Sequence, residues 1–179
     1  MKSLYASLLK DFEGYTIGKM LAYLSDPEII SFAGGLPSSE LFPTEIIFEA
    51  ARKAINENAA QVLQYSPIPG EKELIEAVIE YLKTDDIFIE PDNIVITSSG
   101  QHGLDLVGRL FLDPQDVVVI DFPTFGGALA AFELENPRYI GRDIRQDGSD
   151  TDGLESDIRE ALRNGKQPKF IYVVPDFQN

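Results

Sequence analysis

The sequence predicts an α/β fold on a mainly parallel sheet. Three observations carry that expectation. Short, continuous apolar runs recur at 93–97 (NIVIT), 117–121 (VVVID) and 169–175 (KFIYVVP). Stretches with helical spacing lie between them, and turn residues separate each run from the next helix. Runs that are apolar on both faces and alternate with helices fit a parallel sheet covered on both sides.

Taken in order, IGKMLAYLSD (17–26) has helical spacing and stops at Pro27. ISFAGGLPSSELFP (30–43) holds two glycines and two prolines and reads as an ordered loop. TEIIFEAARKAINENA (44–59) places Ile47, Ala50, Ala51, Ala54 and Ile55 on one face, the pattern of an amphipathic helix. VLQYSPIPG (62–70) is extended and then turns. EKELIEAVIEYLKT (71–84) repeats the helical pattern, with Leu74, Ile75, Val78, Ile79 and Leu82 expected to face inward.

After the strand at 93–97, residues 98–112 read as a loop feeding a helix, and 123–135 as a turn and a helix. RYIGRDI (138–144) is a further strand, and LESDIREALRNG (154–165) a helix closed by Gly165. The expected organisation is an N-terminal arm and helix segment over 1–43, followed by the first part of a doubly wound domain over 44–179. There is no internal repeat and no composition shift that would mark a linker.

Charge and composition narrow the function. With 30 acidic against 15 basic residues, the formal charge is −15, which repels nucleic-acid phosphate and anionic lipid. Neither is expected as a partner. The chain has no cysteine, which removes disulfides and thiolate chemistry, and a single histidine, His102, which excludes a multi-histidine metal site. No apolar stretch approaches the roughly 18 residues needed to cross a bilayer, and MKSLYASLLKDFEG does not read as a signal peptide. A cytoplasmic location is the expectation.

In an open α/β sheet, ligands bind beyond the carboxyl ends of the strands. Three residue groups fall there. Ser98, Ser99 and Gly100 are small, so backbone N–H groups can approach an anion at the start of a helix, with Gln101 as a further donor. The same residues also suit a plain helix cap. Phe125 follows the VVVID strand and can stack on a planar ring, or serve as an ordinary core aromatic. Asn179 follows the last strand and can donate a side-chain hydrogen bond, or simply make a turn.

ISFAGGLPSSELFP, LQYSPIPGEKELIEAVIEYL, NIVITSSGQHGLDLVGRLFLDPQDVVVIDFPTFGGAL and PKFIYVVPDFQN resemble consecutive blocks of fold-type I aminotransferases, which depend on pyridoxal 5′-phosphate (PLP). The subgroup that includes 2-aminoadipate aminotransferases is the most similar. The blocks run in order from about Ile30 to Asn179.

The resemblance implies a three-layer α/β/α PLP-dependent transferase large domain, here incomplete. It implies that Ser99, Gly100 and Gln101 lie at the cofactor phosphate and that Phe125 stacks on the pyridine ring. Asn179 would bond the ring's phenolic oxygen, opening the family's Asn-Pro-Thr/Ser-Gly sequence. Tyr65 would reach the phosphate of the neighbouring subunit of a homodimer, and Gly34 and Gly35 would lie near the substrate carboxylate. Substrates would be an amino acid and a 2-oxo acid.

The chain departs from the family pattern in the cradle. Relatives usually show Ser-Gly-Ser-Gln-Gln; Ser98-Ser99-Gly100-Gln101-His102 stands here, so one phosphate-directed hydroxyl is expected to be missing. Phe125 replaces a frequent tyrosine, which keeps stacking and loses a hydroxyl. His102 reads as a helix-surface residue or one standing behind the residues that touch the cofactor, with direct contact to the cofactor as the lesser alternative. The Schiff-base lysine, the aspartate that pairs with the ring nitrogen and the arginine for the substrate carboxylate would all lie past Asn179. Lys166 and Lys169 match none of them. Inactivity of residues 1–179 alone is therefore expected.

Two other readings stand beside this one. The regulator-fused aminotransferase-like domains sense PLP, but the thirty or so residues before Ile30 leave no room for their winged helix. A non-functional remnant would show an unpaired sheet edge and exposed apolar faces.

Overall fold

The computed structural model describes residue 4, residues 28–30, residue 35 and residues 37–176. The helix expected over 17–26, together with Gly34 and Asn179, lies outside the described residues. The chain forms two compact units, one spanning 30–97 and the other containing 98–179.

The 30–97 unit holds two helices, α1 (Thr44–Val62) and α2 (Lys72–Lys83). Helix α1 runs past the expected end at residue 59, with an interruption at Asn58 (φ −152°, ψ 52°), whose side-chain amide donates to Gln61 Oε1. It contains no buried residue, so among the described residues the apolar face holding Ile47 and Ile55 is open. In α2 the inward stripe centres on Ile75, with Val78, Ile79 and Leu82 half-buried. Leu74 departs from the expectation and is 47% exposed. Its position is about 100° around the helix from Ile75, outside the stripe that the other apolar residues define.

The strand expected at 93–97 is absent. Pro91–Asn93 is a turn of 3₁₀ helix, and the residues after it are extended without a ladder. A strand needs a partner for alternate N–H and C=O groups. Here the Ile96 N–H donates instead to the Pro69 carbonyl at 2.7 Å, and Val95 is 61% exposed. Gly70 makes that approach possible. Its φ is +118°, and a Cβ there would meet Ile96 Cγ1 at 2.4 Å.

The second unit is the α/β part. Helix α3 (Gly100–Phe111) leads to strand β1 (Val117–Phe122), then helix α4 (Gly126–Phe132), strand β2 (Arg138–Asp143), helix α5 (Thr151–Arg163) and strand β3 (Pro168–Tyr172). The three strands are parallel in the order β2-β1-β3, with Val119 opposite both Ile140 and Ile171. The unit thus has the expected α/β class with a small parallel sheet. Strand β3 ends at Tyr172, short of the expected 175, because its ladder with β1 ends at the Ile120–Tyr172 pair.

Strand β1 is the centre of the core. Val117, Val118, Val119 and Ile120 are all buried, although successive side chains point to opposite faces. Both faces of the central strand are therefore covered. On one face, Val118 and Ile120 join Leu112, Ala128, Ala131 and Phe132. The Phe132 ring meets Phe170 and Tyr172 edge-on, at 5.3 and 5.8 Å between centroids. Helix α3 crosses α4 where Gly108 faces the Phe132 ring; a Cβ would lie 3.3 Å from Phe132 Cδ1. On α5, the Asp150 carboxylate accepts from the Gly153 N–H at 3.1 Å and starts the helix before residue 154. Gly165 takes φ +69° just past its end, as expected for a helix stop.

Candidate functional site

The carboxyl end of β1 and the amino end of α3 bring two of the sequence-selected groups together. Ser99 is the cap of α3: its backbone is extended (φ −170°, ψ 165°) and its Oγ accepts the His102 N–H at 3.1 Å. The Gly103 N–H donates to the Ser99 carbonyl at 3.1 Å. The first N–H groups of a helix have no intrahelical acceptor. For Gly100 and Gln101 none is found among the described residues. Space above Gly100 is open, since a Cβ there would meet nothing within 4 Å. Two free N–H groups, the positive end of a twelve-residue helix and open space form a seat for an anion.

The second group is reached through Gln101. Its side-chain Nε2 donates to the Gly127 carbonyl at 2.8 Å, across 26 residues of sequence. The Phe125 ring lies over the same glycine: a Cβ on Gly127 would come within 2.4 Å of Phe125 Cε1 and 2.7 Å of Gln101 Oε1. Phe125 is 50% exposed. Gly127 thus joins the phosphate-type seat to the aromatic, and sequence reasoning missed it. The glycine pair directly after Phe125 was the available signal.

Two polar groups at this sheet end also went unselected. Asp121 is 6% exposed, and its Oδ1 has no hydrogen-bond partner among the described residues. The buried Thr124 Oγ1 likewise has none. Unpaired buried polar atoms are uncommon in folded proteins and cluster where a partner is supplied from elsewhere.

The remaining selected residues belong to the other unit or fall outside the described residues. Tyr65 belongs to the 30–97 unit, is 96% exposed, and donates its backbone N–H to Gln64 Oε1 at 2.9 Å. Gly35, in that unit too, has a positive φ of 50°, a conformation that favours glycine. Gly34 and Asn179 fall outside the described residues. Lys169 sits at the opposite, amino-terminal edge of the sheet, where its Nζ meets Asp116 Oδ2 at 3.0 Å. A backbone hydrogen bond from Asp113, followed by Lys169, holds the Asp116 carboxyl below its ordinary range.

Fold and geometry together place a helix start with open space above it beside an exposed aromatic, at the carboxyl end of a strand in a parallel sheet. The family follows from comparison. The model of the family "Aminotransferase class I and II" matches residues 32–174, and the chain belongs to that family. It is 38% identical to the aromatic-amino-acid aminotransferase 1 of Thermococcus litoralis over 91% of this chain and 39% of that protein. To the 2-aminoadipate transaminase of Thermus thermophilus it is 40% identical over 92% of this chain and 39% of that protein. Among solved structures, Pyrococcus horikoshii kynurenine aminotransferase in complex with PMP superposes with a TM-score of 0.87 at 33% identity. That match covers 98% of this chain and 44% of that one. The chain thus spans about two-fifths of the length of these relatives.

Proposed function

We propose that this chain supplies the phosphate seat and the ring-stacking face of a PLP-dependent aminotransferase, which moves an amino group between an amino acid and a 2-oxo acid. The observation that carries the reading is the junction at Gly127, where Gln101 and Phe125 meet beside the free N–H groups of α3. The residues fit the cofactor. Its phosphate suits two unsatisfied backbone donors with open space above Gly100, and its planar ring suits the exposed ring of Phe125.

PLP, when bound, acts as the electron sink for bonds broken at the amino acid's α-carbon. The chain's own residues bind and orient. Gly100 and Gln101 would donate N–H groups to the phosphate, and the start of α3 would favour its negative charge. Phe125 would offer its ring as a stacking surface. The Gln101 bond to the Gly127 carbonyl fixes the distance between seat and ring. Asn179, Tyr65, Gly34 and Gly35 complete the reading as contacts to the ring oxygen, the neighbouring subunit's phosphate and the substrate carboxylate. A homodimer in the cytoplasm belongs to the same proposal.

No lysine among the described residues lies at this site; Lys169 is tied to Asp116 at the far edge. Residues 1–179 expressed alone are therefore proposed to show no transaminase turnover. The test is amino transfer from a panel of amino acids to 2-oxoglutarate, with PLP added, by the full-length protein and by residues 1–179. Turnover by the former alone supports the proposal, and turnover by the short chain contradicts it. PLP binding by a full-length protein without turnover would favour a sensing domain that uses the same cradle.

A further inference from the structure

The His102 side chain makes contacts beyond its own helix α3. The Ser98 backbone N–H points at His102 Nδ1, 3.4 Å away, and the Ser98 Oγ lies 3.0 Å from the same nitrogen. A backbone N–H can only donate, so this geometry suits the tautomer with Nδ1 as acceptor and the ring proton on Nε2. In that tautomer the Ser98 hydroxyl donates to Nδ1. The backbone N–H of the same histidine meanwhile donates to Ser99 Oγ at 3.1 Å. One residue, a turn into the helix, thereby holds both serines of the loop.

We propose that His102 is a positioning residue: its imidazole holds Ser98, beside the cap its backbone N–H makes at Ser99, and so keeps the Gly100 and Gln101 N–H groups presented to the cofactor phosphate. The proposal rests on the cofactor reading above. It assigns Ser98 a structural part, because a hydroxyl has one proton and that proton is directed at the imidazole. Donors fixed before the ligand arrives bind it more tightly than donors that must be ordered by it. Loss of the imidazole acceptor frees the loop, and affinity falls.

The experiment is a titration of the full-length protein with PLP, followed by absorbance, for wild type, His102→Phe, His102→Asn, Ser98→Ala and the Ser98→Ala/His102→Phe double variant. Phenylalanine keeps the ring and removes the acceptor; asparagine offers an oxygen near the Nδ1 position. Expected is a roughly three- to tenfold weaker Kd for H102F and for S98A, the worth of one net hydrogen bond. The double variant should be no weaker than either single one, and H102N should recover most of the loss. Nitrogen NMR of the imidazole in the ligand-free protein should show Nδ1 without a proton.

Additive losses in the double variant would overturn the proposal, since Ser98 would then act on the ligand independently of His102. So would an H102F protein that binds like wild type. S98A alters one exposed hydroxyl and keeps the test decisive should H102F fold poorly. Parallel titrations with pyridoxal separate the two levels of the account. Wild type that binds PLP no better than pyridoxal removes the phosphate seat and this inference with it. Phosphate-dependent binding with a silent H102F removes the inference alone.

Discussion

Gly127 is the position where a single methyl group interrogates the whole site. A Cβ added there would stand 2.4 and 2.5 Å from Phe125 Cε1 and Cζ, and 2.7 Å from Gln101 Oε1. Carbon atoms in ordinary contact are about 3.5–4.0 Å apart, so the ring must retreat by roughly 1 Å and the amide must swing away. Both obstructions are side-chain ends, so Gly127→Ala should still fold. Overpacking costs about 1–3 kcal/mol, and alanine in a helix regains roughly 0.5–1 kcal/mol over glycine. The net loss of stability is therefore about 0–2.5 kcal/mol. Aromatic stacking is worth about 0.5–1.5 kcal/mol, so displacing the ring should weaken PLP roughly 2- to 15-fold. PLP titration and urea unfolding of the full-length variant measure the two effects separately. A protein that loses stability yet keeps its PLP affinity would refute the placement of Phe125 and Gln101 at the cofactor.

Other perturbations test neighbouring parts. Gly100→Ser has room for its side chain and adds a hydroxyl beside the free N–H groups; PLP should bind about tenfold tighter, the worth of a hydrogen bond to a charged group after solvent exchange. Thr124→Val removes a buried hydroxyl that has no partner among the described residues. Unfolding of the cofactor-free protein should show unchanged stability, or a gain of about 1 kcal/mol. Arg142 makes paired hydrogen bonds to Asp157, 2.7 Å each, and these hold the Asp157 carboxyl below its ordinary range. A lowered folded value means the stabilisation is present above the unfolded value of about 3.9 and fades as pH falls through the folded one. The difference in urea stability between wild type and Asp157→Asn should therefore be constant near neutrality and shrink below about pH 4.

The α/β half was legible because its signals are local. The apolar run at 117–121 reads as a strand buried on both faces, and Val117 to Ile120 are buried. Gly165 marked the end of α5 through cap chemistry that depends only on nearby residues, while the Asp150 cap that starts the helix at Thr151 was read as part of a polar connection. The segment at 93–97 misled for the opposite reason: its β-branched residues satisfy strand propensity, yet a ladder needs a second chain segment, and the Ile96 N–H found Pro69 instead. The open face of α1 has the same lesson, because an amphipathic pattern says which side wants burial and not what covers it.

The candidate site divided along the same line. The helix start at Ser98–Gly100 and the aromatic after β1 were visible as residue types in the right order. Their junction was not, since Gln101 and Gly127 touch across 26 residues and no local pattern encodes that contact. His102 read only as a helix-surface residue or one behind the cofactor contacts, and its contact with Ser98 needed the geometry.

A crystal structure of the protein grown with PLP tests the central claim most directly. The account predicts phosphate oxygens within hydrogen-bonding distance of the Gly100 and Gln101 N–H groups, with the pyridine ring lying flat against Phe125. A phosphate held elsewhere, or a Phe125 ring that does not face the cofactor, would contradict it.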